Sequence, residues 1–156
     1  MRLTVAAIGR QRHSVWDEAW ALYAKRLNGP PLGPLALKEI ELRKKGPPSS
    51  LPEREGEALL GAVPPGTPLI ALDQRGECLD SRAFASRLER RRDAGTPGLA
   101  FVIGGAEGLS DAVRERADWL LAFGPMTWPH LLVRVMLAEQ LYRARTILEG
   151  HPYHRE

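Results

Sequence analysis

Short apolar runs alternate along the chain with longer stretches in which apolar positions recur at helical spacing. "RLTVAAIG" (2–9) is one such run, closed by Gly9, and predicts a buried strand. Ser14 and Asp17 then have capping-box spacing, predicting a helix to about Leu27 with Trp16, Trp20, Tyr23 and Leu27 along one side. These aromatics read as core rather than as a platform for stacking bases. "LALKEIEL" (35–42) predicts the second strand, "RKKGPPSS" (43–50) a mobile basic loop, and Ser50 the cap of a helix over 52–62. "PLIALD" (68–73) is the third strand, followed by a turn at "QRGE" and a helix over 81–94 that Gly95 ends. "LAFVIG" (99–104) and "WLLAFG" (119–124) complete five strands, with a short helix after Ser110 between them. The last helix, 131–149, carries Val133, Leu137, Leu141, Ala144 and Leu148 on one stripe. Its first half is apolar nearly all round, which suits burial against both its own sheet and a second subunit.

Strands alternating with helices predict an α/β fold with a mostly parallel sheet, and 156 residues without a repeat or linker predict a single domain, 1–156. No run of 18 or more apolar residues is present, and residues 1–9 lack a cleavage pattern, so a cytoplasmic protein without a membrane partner is expected. The lone Cys78 agrees with a reducing compartment and reads as an ordinary small side chain. Net charge is only +3, so bulk charge does not establish a nucleic-acid partner. Only four of the 22 basic residues are lysine, at 25, 38, 44 and 45; the other 18 are arginine, the better fork for phosphates and base edges. A GC-rich genome would give the same bias. Arg82, Arg87, Arg90, Arg91 and Arg92 crowd the helix at 81–94, either as a solvated face or as a patch facing RNA.

In a parallel sheet ligands bind beyond the carboxyl ends of the strands, so the loops there hold the candidate chemistry. "GGAEGLS" (104–110) follows the fourth strand, and Gly104 with Gly105 would let backbone approach a ligand closely; a branched side chain at Gly105 would then fill ligand space. A tight turn without a ligand is the plainer reading. The loop lacks G-x-G-x-x-G spacing and "AIGRQRHS" after the first strand supplies no dinucleotide fingerprint, which disfavours a nicotinamide-dependent oxidoreductase. "GPMTWPH" (124–130) follows the fifth strand; its prolines stiffen it, and Met126 and Trp128 could wall a flat ring. Arg134 interrupts an apolar stretch and must be paired, as a structural ion pair or as a site residue. Glu139 and Arg143, four residues apart, read as plain helix support. The ending "HPYHRE" (151–156) reads by itself as a frayed terminus, and Gly150 and Pro152 argue against His151 and His154 sharing a helical face for a metal; no metal is expected.

"VIGGAEGLS", "TWPHLLVRVMLAEQLYRA" and "HPYHRE" together resemble the SPOUT methyltransferases, specifically their small members that act on ribosomal RNA, and the resemblance spans the whole chain. It implies a single-domain SPOUT-like fold with a carboxyl-terminal trefoil knot, an obligate homodimer, S-adenosylmethionine as methyl donor, and N3 of a pseudouridine in 23S ribosomal RNA on the assembled ribosome as acceptor. Carried over by position, it implies donor contacts at Leu72, Gly104, Gly105, Gly124, Pro125, Met126, Thr127, Trp128 and Pro129. It also implies an ordered tail in which Tyr153, His154 and Arg155 meet the RNA. His154 as a base and Arg155 as a stabiliser of developing charge stand as alternatives for the proton that must leave N3. A non-catalytic RNA-binding module is the rival that the arginines would also serve.

Overall fold

The computed structural model describes residues 1–10, 14–42 and 50–155. The elements alternate as β1 (Arg2–Ile8), α1 (Val15–Arg26), β2 (Leu35–Ile40), α2 (Leu51–Ala62), β3 (Leu69–Cys78), α3 (Ser81–Asp93), β4 (Gly98–Ile103), α4 (Asp111–Arg116), β5 (Trp119–Ala122) and α5 (His130–Leu148). The five strands form one sheet in the order β2-β1-β4-β3-β5, and every neighbouring pair is parallel. All strands therefore end along the same edge.

Side chains of successive strand residues point to opposite faces, and this alternation sorts the core into two halves. Leu3, Val5, Ala7, Ile70, Leu99, Phe101 and Ile103 belong to one buried cluster, together with Trp20 of α1, Phe84 and Leu88 of α3, and Leu137 and Leu141 of α5. Ala6, Ile8, Leu69, Ala71, Ala100 and Val102 belong to the other, with Leu59 of α2 and Val113 of α4. The result is three layers, with α5 packed between α1 and α3 on one face and α2 beside α4 on the other. Strands buried on both faces are apolar throughout, which is why β1 and β4 read as runs rather than as alternation.

The structure departs from the sequence pattern in two places. "QRGE" is not a turn: β3 runs on through it to Cys78, with an irregular register against β5 between Leu72 and Glu77. The reason is local. Asp73 Oδ1 takes the Arg75 N–H at 2.9 Å, and Gly76 passes so close to β5 that a Cβ there would lie 2.6 Å from Leu121 N. Ser14 occupies the N-cap of α1 without a capping bond from its side chain; its buried Oγ has no partner among the described residues, while its carbonyl takes the N–H groups of Asp17 and Glu18. The expected basic loop at 43–50 lies, up to residue 49, outside the described residues.

Arg134 is fully buried on α5, and its guanidinium donates to the carbonyls of Ile8 and of Gly9 (3.0 Å) and to Glu39 Oε1 (3.1 Å). It is the structural ion pair of the two readings left open above. Three bonds tie the ends of β1 and β2 to α5, and a buried guanidinium without them would be strongly destabilising.

Candidate functional site

Because β3, β4 and β5 end on one edge, the loops that follow them enclose a common space. A cavity of about 470 Å³ opens there, bounded by the end of β3, by residues 105–108 and by the loop after β5. Of the residues singled out in the sequence, Leu72, Gly105, Gly124, Met126, Thr127 and Trp128 line it. Gly104 is buried behind the wall, where a Cβ would lie 2.7 Å from the Gly108 carbonyl oxygen. Pro125 shapes the loop without lining the cavity, and Pro129 serves as the N-cap residue of α5. Trp128 Nε1 donates to the Phe123 carbonyl at 3.2 Å, closing the loop on itself, and Met126 stands 67 % exposed at the rim.

The polar wall was not legible in the sequence. Asp73, Arg75, Glu107 and Arg114 all face the cavity. Arg114 Nε donates to Asp73 Oδ2 at 2.7 Å while its Nη1 donates to Asp111 at 2.8 Å. Burial by itself would push the Asp73 carboxyl up, but the Arg75 N–H and the Arg114 guanidinium outweigh it and hold the group below its ordinary range. The cavity thus has an ionised carboxylate at its β3 side, paired with Arg114.

The glycine loop is tighter than its composition suggests. Gly108 N–H donates to the Gly105 carbonyl at 3.1 Å, and the Gly105 N–H donates to the carboxylate of Glu55 on α2. A Cβ at Gly105 would stand 2.9 Å from both Glu55 oxygens. The expectation that a side chain at Gly105 would fill ligand space is therefore corrected: it would strike Glu55 instead, on the protein side of the loop. Nothing in the sequence pattern marked Glu55, which reads as one more charge on an amphipathic helix.

The tail lies against α5 as far as it is described. Tyr153 Oη donates to Glu139 Oε1 at 3.1 Å, its ring meets Tyr142 edge-on at 4.8 Å, and the Arg143 guanidinium lies 4.9 Å above it. Glu139 also takes Arg143 at 2.6 and 3.0 Å and Gln140 at 2.7 Å. Burial first, and then bonding to Tyr23 and the charge of Glu139, push the Tyr153 hydroxyl well above its ordinary range, so it remains a donor. Arg143 Nη1 approaches His154 Nδ1 at 3.4 Å, whereas His151 and Arg155 are exposed. The Glu139–Arg143 pair is thus more than helix support; it is the seat of the tail. Two features of the sequence, an i,i+4 ion pair and an aromatic ten residues beyond, could not reveal this before the chain's path was known. Among the described residues no group of three or more His, Cys, Asp or Glu could hold a metal ion.

A second cavity, of about 590 Å³, lies between α1, the start of α3 and α5, with Tyr23 and Glu139 in its wall. It shares Leu121–Gly124 with the first, so the seat of the tail and the first cavity meet across the end of β5. The arginines of α3 take little part. Arg87 is bound by Glu77 at 2.6 Å, Arg91 by Asp118 at 3.4 Å and Arg92 by Asp93 at 2.8 Å, with Arg87 and Arg91 over Trp119. This favours the solvated face over the RNA patch.

Comparison with known proteins adds to this geometry. The family model described as "Predicted SPOUT methyltransferase" matches residues 1–154. The chain is 56 % identical over 155 residues to a protein of Rhodospirillum centenum and 50 % identical over 155 residues to one of Paramagnetospirillum magneticum, covering 99 % of each chain in both cases. Both relatives are named ribosomal RNA large subunit methyltransferase H. Among solved structures, a probable methyltransferase from Bordetella pertussis superposes with a TM-score of 0.56 at 17 % identity, covering 92 % of this chain and 95 % of that one. A probable methylase family protein from Haemophilus influenzae gives 0.53 at 15 %, covering 99 % and 70 %. At such identities these structures speak for the fold alone.

Proposed function

The chain belongs to the SPOUT methyltransferase family, and on that premise we propose that it transfers a methyl group from S-adenosylmethionine to N3 of a pseudouridine in 23S ribosomal RNA on the assembled ribosome, acting as a cytoplasmic homodimer. The observation that carries the reading is the cavity at the ends of β3, β4 and β5, which joins an apolar loop to a fixed carboxylate and lies within the size range of small-ligand pockets. The donor carries its methyl group on a sulfonium, a cation for which Asp73 and Glu107 offer carboxylates, while Arg75 and Arg114 in the same wall balance their charge. The Gly105 N–H, which a phosphate would need, is already given to Glu55.

In the reaction the N3–methyl bond forms as the sulfur–methyl bond breaks in line, and the N3 proton leaves. Leu72, Gly105 and the loop Gly124–Pro129 would hold the donor, and the tail would meet the acceptor. Arg143 can only donate, so the His154 Nδ1 it approaches accepts, and Nε2 is left to carry the ring's hydrogen as a donor. In this packing His154 would steady the carbonyl oxygen beside N3, leaving Arg155 to stabilise developing charge and water to carry the proton away. Tyr153 serves to seat the tail.

α5 supports the dimeric reading. Leu131, Leu132, Val135 and Met136 remain only half-buried in the single chain, on a helix whose other face is already packed. An apolar helix face left half-open in this way is one that a second subunit would cover. Light scattering is expected to show a dimer, and a stable, active monomer would overturn it. For the reaction, intact ribosomes incubated with labelled donor and digested to nucleosides should yield N3-methylpseudouridine by mass spectrometry. Binding of ribosomes without product would favour the RNA-binding module.

A further inference from the structure

We infer that Glu55 is a positioning residue of the donor site: its carboxylate, buried on α2 and never touching the cavity, sets the glycine loop in its binding shape by holding the Gly105 N–H. The inference rests on the reading that the cavity at the ends of β3, β4 and β5 takes S-adenosylmethionine. Glu55 is only 6 % exposed and its Oε2 has no partner among the described residues. Burying a carboxylate with so few bonds costs stability that an apolar side chain of the same length would not cost. Glu55 shares the buried side of α2 with Leu59, one turn further on, so the position is one that an apolar methionine suits. The carboxylate must therefore do something other than hold the helix in place.

What it does is visible in the loop. Both Glu55 oxygens stand against Gly105, and the next residue, Gly56, allows the other end of the loop to press on α2: a Cβ at Gly56 would lie 2.1 Å from Ser110 Oγ. Residues 105–110 are thus bracketed by Glu55 and Gly56 along a single turn of helix. With the Gly105 N–H turned into the protein, the carbonyl of the same trans peptide, that of Gly104, points the opposite way. The loop is closed by the bond from Gly108 to the Gly105 carbonyl, so its shape is completed without a ligand. Such a preformed loop binds without spending affinity on ordering itself. Burial first, with Glu107 adding to it, raises the Glu55 carboxyl above its ordinary range against the pull of the Gly105 bond. That is the electrostatic mark of a group held where its charge is costly.

The test compares Glu55→Gln, which keeps an acceptor for Gly105, with Glu55→Met, which removes it at similar volume. Donor affinity is read by calorimetry with S-adenosylmethionine, stability by thermal unfolding, and the KM-against-kcat split on ribosomes. Glu55→Met is expected to keep or raise the unfolding temperature, to weaken donor binding about tenfold or more, and to leave kcat at saturating donor within about threefold. Glu55→Gln is expected to stay within about threefold of the parent in affinity. Unchanged affinity in Glu55→Met, or a fall in kcat with KM unmoved, would overturn the inference, as would equal losses in the two variants. Should Glu55→Met not fold, a double-mutant cycle decides. Gly105→Ala alone should weaken the donor by forcing its Cβ onto the carboxylate, and should cost nothing further in a Glu55→Ala background; additive losses would overturn the inference. Failure of the parent protein itself to bind S-adenosylmethionine would instead overturn the assignment of the cavity.

Discussion

The glycine loop and the tail both face the proposed reaction, yet each is held by a different carboxylate on a different layer of the fold. The loop is held from beneath, by its own backbone and one buried carboxylate: Gly105 bonds to Glu55 and to Gly108, and Gly104 is pinned against the Gly108 carbonyl. The tail is held from the side, by side chains: Tyr153 bonds to Glu139, meets Tyr142 edge-on and lies under Arg143. The loop leans on one buried carboxylate of α2 and the tail on one less buried carboxylate of α5, so each can be released by a single substitution far from the other. On the proposed reading, donor binding and methyl transfer are expected to be separable, because different parts of the fold would support them.

The sharpest way to break that comparison is to remove the tail. Deletion of 151–156 is expected to abolish methylation of ribosomes while donor affinity, measured by calorimetry, and unfolding temperature stay close to those of the full chain. Full activity would make the ending a mere terminus. If each site combines one subunit's loop with the other's tail, subunits lacking the tail mixed with donor-loop variants should regain activity in part of the heterodimers, and no recovery after verified exchange would show that each tail serves its own subunit. Next in size are His154→Ala and Arg155→Ala, each expected to lower the transfer rate by about 10²–10⁴-fold, the range for a residue acting on the developing charge or the proton. A pH profile unchanged in His154→Ala would agree with the donor role assigned to Nε2; loss of a titrating limb would make His154 the base. Glu139→Ala should follow, at about 10–100-fold in kcat with donor KM unmoved, since it takes away the bonds that seat Tyr153. Tail protection in hydrogen exchange would fall with it, and equal protection would show that the aromatic contacts suffice. The smallest effect belongs to the face that takes no part: Arg91→Ala is expected to alter ribosome methylation by less than about twofold and stability by less than about 1 kcal/mol, as for exposed ion pairs. A large loss of ribosome binding there would restore the RNA patch on α3.

Much of the fold was legible because its causes are local. Val5, Phe101 and Leu121 sit in apolar runs bounded by Gly, Pro and polar residues, and such runs name strands wherever they occur. The region of the cavity was legible as well, since loops after parallel strands are where ligands gather, and six of the nine residues expected at the donor line that cavity. "QRGE" misled for the same reason that the rest succeeded: its turn-like composition is a local signal, and close passage along β5 overrode it.

The chain's own order of residues determined an α/β domain, its five strands and five helices, and the two loops worth searching. Only the tertiary structure decided that Arg134 clamps β1 and β2 to α5, that Glu55 holds the glycine loop, and that Glu139 seats the tail. Each of these is a polar contact between residues far apart in sequence, 95 positions in the case of Arg134 and Glu39. Periodicity records which face of an element is buried, because the pattern repeats along one element. It carries no record of which distant partner a single buried charge will meet, since that depends on how the layers close upon one another, and burial without a partner is what makes the choice costly.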